Sequence, residues 1–118
     1  MRILLLINGL LELGAGLVFL FLPGLVPLIP GLTNVGEGAD VRMLLSMYGT
    51  VAAVMGIYSL VLLRHTHRQS LMIGSLFLFA LFHTAIALNQ FITNTDVRVG
   101  IVHLLLGLLF WGVYWNRK

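Results

Sequence analysis

Long apolar runs separated by short polar or turn-rich segments dominate this chain. The runs are Ile3 to Leu22, Met43 to Leu63, Leu71 to Gln90 and Val97 to Trp115. A helix needs about 20 apolar residues to cross a hydrocarbon core about 30 Å thick, so each run predicts one membrane-spanning helix. The links Arg64–Arg68 and Thr93–Asp96 are short, and short links make sequential helices antiparallel neighbours. The pattern therefore predicts an all-α fold: an integral membrane antiparallel four-helix bundle, up-down-up-down, forming a single transmembrane domain over residues 1–118.

The connection over residues 23–42 is longer and of a different kind. Pro23, Pro27 and Pro30 each lack an N–H and clash with the preceding turn, so no continuous helix is expected there. Leu25, Val26, Leu28, Ile29 and Leu32 nevertheless keep its first half apolar. It reads as an irregular segment that either packs back over helix ends, as a partial lid, or dips into the headgroup zone. The polar stretch from Asn34 through Val35, Gly36, Glu37 and Gly38 to Asp40 follows, with Asp40 as an expected N-cap for the second helix. Thr95 or Asp96 is the matching expectation for the fourth. Arg2 and the apolar run after it read as a retained first span, because no small-residue cleavage site follows Pro23-Gly24.

Composition strengthens the membrane reading. Charged residues make up 9% and hydrophobic residues 59%, where a soluble domain carries about 25% charge. Seven Lys and Arg against four acids give a net charge of +3. These cations flank the apolar runs, where they anchor helices, so no nucleic-acid partner is expected; the bilayer is the expected partner. Arg2, Arg64, Arg68, Arg117 and Lys118 fall on one side and Arg42 and Arg98 on the other. The positive-inside rule then puts both termini in the cytoplasm, with a multi-pass chain in the cytoplasmic membrane and the proline-rich connection outside. Trp111, Tyr114 and Trp115 suit an aromatic belt at the cytoplasmic interface. His65 and His67, between two arginines, extend the positive patch toward anionic headgroups. The absence of cysteine excludes disulfides, thiolate metal sites and thiol redox chemistry by this chain.

Small residues recur at helical intervals: Gly9 with Gly16, Gly49 with Ala53 and Gly56, and Gly100 with Gly107. Small residues let membrane helices approach closely, so these mark packing faces, and a homo-oligomer or larger membrane complex built through them is expected. Met43, Met47, Met55 and Met72 read as gap fillers rather than metal ligands.

Glu12 is the one acid inside an apolar run. A carboxylate at mid-depth costs about 2.5–3.5 kcal/mol on insertion scales, so it must face protein or water. Asn8, four residues earlier, shares its helix face with it and with Gly16. By helical rise, Glu12 lies about 13 Å and His83 about 18 Å from the cytoplasmic side, and His103 some 7–9 Å below the outer surface. Tyr48 falls at a similar outer depth, and Gln90 continues the stripe of His83 toward the outer mouth. Three readings stand open. The set Asn8, Glu12, Tyr48, His83, Gln90 and His103 lines a pocket for a small hydrophobic or quinone-like ligand. Alternatively, Glu12, His83 and His103 bind a metal or pass protons, since carboxylate and imidazole suit zinc or iron and acid–histidine chains occur in proton relays. In the third, these groups only hold the helices together. A haem bridged by His83 and His103 is a further, minor alternative. No nucleophile motif, phosphate-binding glycine loop or paired carboxylates appear, so no catalytic residue is assigned and an independent enzyme is not expected.

The segment Asn8-Gly9-Leu10-Leu11-Glu12-Leu13-Gly14-Ala15-Gly16, ending at Leu22-Pro23-Gly24, resembles a helix of the DoxX-like small membrane proteins. Arg42 leading to Tyr48-Gly49 and then Met55-Gly56-Ile57-Tyr58 is similar to relatives of the same group. The resemblance implies a four-helix bundle in the cytoplasmic membrane, and some DoxX relatives are subunits of quinone-linked oxidoreductases. The expected role is a non-enzymatic binding or accessory subunit with an intramembrane polar pocket. A small proton-coupled transporter using Glu12 and a structural subunit without ligand are the alternatives.

Overall fold

In the computed structural model, which describes residues 1–29, 32, 36, 38–93 and 97–118, the four apolar runs form four α-helices. They are α1 (Arg2–Phe21), α2 (Ala39–Leu62), α3 (Gln69–Thr93) and α4 (Arg98–Trp115). Each is long and apolar enough to cross a membrane. Their outward faces carry large apolar side chains that no soluble surface would expose in such numbers: Ile3 is 73% exposed, Leu44 61%, Ile92 82% and Leu108 58%. Hydrocarbon is the solvent that suits them.

Helix ends depart from the apolar pattern, because apolarity marks where lipid begins and not where helical hydrogen bonding begins. α2 starts at Ala39, ahead of the expected Met43, and takes Arg42 into its first turn. Asp40 is not its N-cap. Gly38 holds that position, at φ 153°, a conformation essentially reserved for glycine. Asp40 stands instead in the first turn, where its charge complements the positive end of the helix dipole. α3 likewise runs past Gln90 to Thr93, whose hydroxyl donates to the Asn89 carbonyl at 2.7 Å. The expectations for Pro30, for Asn34, Val35 and Glu37, and for capping by Thr95 or Asp96 fall outside the described residues.

The proline segment after α1 is more regular than its composition suggests. Pro23–Leu28 forms a 3-10 helix, with Pro23 at its first turn and Pro27 inside. Its i→i+3 bonds include Leu25 N–H to the Leu22 carbonyl at 2.9 Å and Ile29 N–H to that of Val26 at 3.0 Å. A short 3-10 stretch accepts proline because few of its N–H groups are needed. Val26 is 1% exposed, so this segment buries one of its apolar side chains, while Leu28 is 76% exposed.

The chain divides into two compact units, each a helical hairpin. In the first, residues 2–64, α1 and α2 run antiparallel: Gly16 lies against Ala53, Leu13 against Gly56, and Phe19 and Leu20 against Gly49. A Cβ at Gly16 would stand 2.5 Å from the Ala53 nitrogen, and one at Gly56 would collide with the Leu13 backbone. The two backbones therefore touch, as the glycine spacing predicts. A hydrogen bond crosses this contact where the buried Ser59 hydroxyl donates to the Leu5 carbonyl at 2.8 Å. Ser59→Ala removes that bond and is expected to destabilise the hairpin by about 1 kcal/mol, read as an earlier midpoint in detergent denaturation.

In the second unit, residues 65–118, α3 and α4 are also antiparallel: Phe79 stacks on Phe110 with ring centroids 5.1 Å apart, Thr84 meets Gly107, and Phe91 meets Gly100. The glycine faces expected to serve oligomerisation are thus occupied inside the hairpins.

Candidate functional site

The buried face of α3 repeats at helical spacing through Met72, Ser75, Leu76, Phe79, Ala80, His83 and Ala87. On α4 the corresponding positions are Gly100, Leu106, Gly107 and Phe110, with His103 half-buried among them. Gly107 is what lets the helices close here. A Cβ on it would stand 3.0 Å from Thr84 Oγ1 and 3.6 Å from His83 Cβ. His83, itself fully buried, reaches one turn along α4 to His103, and the two Nδ1 atoms come within 2.9 Å.

Aromatic rings hold this pair in place. His83 lies parallel to Phe110 (centroids 5.7 Å apart, interplanar angle 4°) and meets Phe82 edge-on at 5.2 Å. The two imidazoles are themselves stacked, with centroids 5.2 Å apart and an angle of 29°. The 2.9 Å spacing of the Nδ1 atoms is that of a hydrogen bond between the rings.

An imidazole–imidazole bond fixes the chemistry of both rings. One Nδ1 carries the proton and donates; the other presents its lone pair. In the neutral pair, the donor ring must then have a lone pair on Nε2, and the acceptor ring an N–H there. The pair thus offers one acceptor and one donor at its two Nε2 positions; the roles exchange only when the shared proton moves and, with it, one Nε2 gains a proton and the other loses one. Two protonated rings would set N–H against N–H and break the contact.

At 2.9 Å the two Nδ1 atoms are spaced as hydrogen-bond partners. Each imidazole keeps a second nitrogen, Nε2, for a further hydrogen bond or ligand.

On the first hairpin, Asn8 and Glu12 share the buried face of α1 with Leu5, Gly9, Gly16 and Phe19. Glu12 is 3% exposed and Asn8 fully buried, so the acid turns away from lipid, as its depth demands. Tyr48, on α2, packs edge-on against Phe19 at 5.3 Å and is 36% exposed. Gln90 is half-buried on α3, with its Cβ beside Gly100. His65 and His67 lie near each other in the turn before α3, with ring centroids 6.3 Å apart.

Three polar residues carry structural roles that apolar patterning did not reveal. Ser59 joins α1 to α2. Thr84 donates to the Ala80 carbonyl at 2.7 Å and accepts from Trp111 Nε1 at 3.1 Å. Trp111 is therefore not only a belt residue: its indole N–H is used between α3 and α4, while Phe77 packs edge-on against its ring at 5.6 Å. Trp115 fits the belt better, 64% exposed and with Lys118 Nζ 5.4 Å above its ring. A serine or threonine within an apolar run is the available signal for such bonds, but it does not identify the partner.

Together the helices define a multi-pass membrane protein with buried ionisable groups in its spans. No protein-family model, curated protein or solved structure matches the chain.

Proposed function

We propose that this is a small ligand-binding or accessory membrane protein, in which the His83–His103 pair holds a small hydrophobic or redox-active molecule by hydrogen bonds. The observation that carries this reading is the 2.9 Å contact between two imidazoles in an apolar, aromatic surrounding. A pair that presents one donor and one acceptor Nε2 matches a ligand that carries a carbonyl or a hydroxyl group. A quinone-like headgroup has that character, which agrees with the DoxX-like resemblance. The proposal includes the finer topology: an up-down-up-down four-helix bundle, supported by the short link Arg64–Arg68, and cytoplasmic termini, supported by the Lys and Arg distribution. The protein acts in the cytoplasmic membrane, as part of a homo-oligomer or larger complex.

The test is titration of the detergent-purified protein with a benzoquinone bearing a ten-carbon tail, followed by tryptophan quenching. Saturable binding is expected, weakened at least tenfold in His83→Leu and in His103→Leu, and unchanged in Arg42→Gln. Absence of saturation, or equal affinity in the histidine variants, overturns the reading.

A second reading rests on a separate observation, the burial of Glu12 midway along α1. It makes the protein a small proton-coupled transporter. Proton entry into liposomes after an acid jump, followed with an enclosed pH dye, is then abolished by Glu12→Gln. Unchanged entry rejects it. Failure of both assays leaves a structural subunit.

A further inference from the structure

A second feature lies at the end of the α3–α4 hairpin where α3 begins and α4 ends. Thr66, His67, Gln69, Asn116 and Arg117 line a cleft of about 470 Å³, the size of a small-molecule site. Every lining side chain can donate a hydrogen bond and none is acidic. Within residues 65–118 the one acid is Asp96, in the link between α3 and α4 and far along the chain from the lining residues. The positive end of α3 and the negative end of α4 both fall here and offset each other. The cleft's affinity for an anion therefore rests on Arg117 and the neutral donors around it.

Its position says which anion. α3 and α4 are long and apolar enough to cross a membrane, so their ends lie at headgroup level. Beside the cleft, on the last turns of α4, stand Trp111, Tyr114 and Trp115, clustered with Phe77 of α3. Aromatic side chains of this kind sit at the boundary between acyl chains and headgroups. Leu71, in the first turn of α3, and Phe77 are 37% and 43% exposed, apolar surface beside the cleft that an acyl chain can cover. A soluble anion would gain nothing from that surface.

We propose that this cleft binds the phosphate headgroup of an anionic phospholipid, with the Arg117 guanidinium as its main contact and with His67, Gln69, Asn116 and Thr66 completing the hydrogen bonds. Arginine suits the role because its planar fork matches phosphate oxygens. The site is independent of the intramembrane histidine pair.

The test uses the full-length protein in nanodiscs of phosphatidylcholine with increasing phosphatidylglycerol, followed by native mass spectrometry of retained lipid. Preferential retention of phosphatidylglycerol is expected. Arg117→Gln should lower the preference about fivefold, the effect of one cation near a membrane surface, and His67→Leu should lower it through its lost hydrogen bond, while Arg42→Gln leaves it unchanged. Gln69→Leu keeps all charge and tests the hydrogen bonding if the arginine variant does not fold; it too should lower retention. Equal loss in Arg42→Gln, or no loss in any cleft variant, means a general positive surface only and overturns the site. Displacement of the lipid by millimolar glycerol phosphate or inorganic phosphate makes a soluble anion the ligand and overturns the lipid assignment.

Discussion

Gly56→Ala and Gly16→Ala are each expected to destabilise the α1–α2 hairpin by about 3 kcal/mol, the upper end of the usual overpacking penalty. In both cases the added methyl meets backbone of the opposite helix, which cannot rotate away: the Leu13 main chain for Gly56 and the Ala53 main chain for Gly16. Gly9→Ala should cost less, because its new methyl meets the Leu60 side chain at 2.6 Å, and that side chain can move. Gly14 and Gly112 give the internal control. A Cβ at either meets nothing within 4 Å, so alanine there should be neutral or stabilise by up to about 1 kcal/mol through helix propensity. Denaturation midpoints of the five variants in one detergent decide it. Equal effects at positions 14 and 56 would mean that the two helices are not in backbone contact.

The second large effect concerns the histidine pair. His83→Leu takes the hydrogen-bond partner from His103 Nδ1, a loss expected to cost about 1–3 kcal/mol because the remaining polar group stays in an apolar setting. His103→Leu does the same to His83. The double replacement should cost less than the two single losses together, since it leaves neither nitrogen behind. A coupling of about 0.5–3 kcal/mol is expected from the double-mutant cycle. Strict additivity would show that the 2.9 Å contact contributes nothing.

The four spans were legible in the amino-acid sequence because lipid imposes a length and a polarity on each helix. The glycine rows also marked true contacts, for Gly16, Gly49 and Gly56 can approach a neighbouring backbone only because they lack side chains. What those rows could not reveal was their partner: each meets the other helix of its own hairpin. Helix starts were less legible. The polar stretch before Met43 is helical from Ala39, and neither lipid exposure nor core packing distinguishes those residues from a loop.

For the candidate site, depth alone suggested that His83 and His103 lie within a few ångströms of one level. Their pairing depends on rotation about the helix axes, which Gly107 and Phe110 set by packing. Burial of Asn8 and Glu12 followed from the cost of polar groups in hydrocarbon. Tyr48 was expected among the same polar set; its ring packs edge-on against Phe19 of α1, the helix that carries Asn8 and Glu12.

The indole of Trp111 gives the second hairpin a built-in optical gauge. With Trp115→Phe, the chain keeps one tryptophan, whose N–H is anchored to a hydroxyl on the facing helix. Its emission maximum should then follow separation of those two helices directly, so unfolding of this half can be timed without an attached dye.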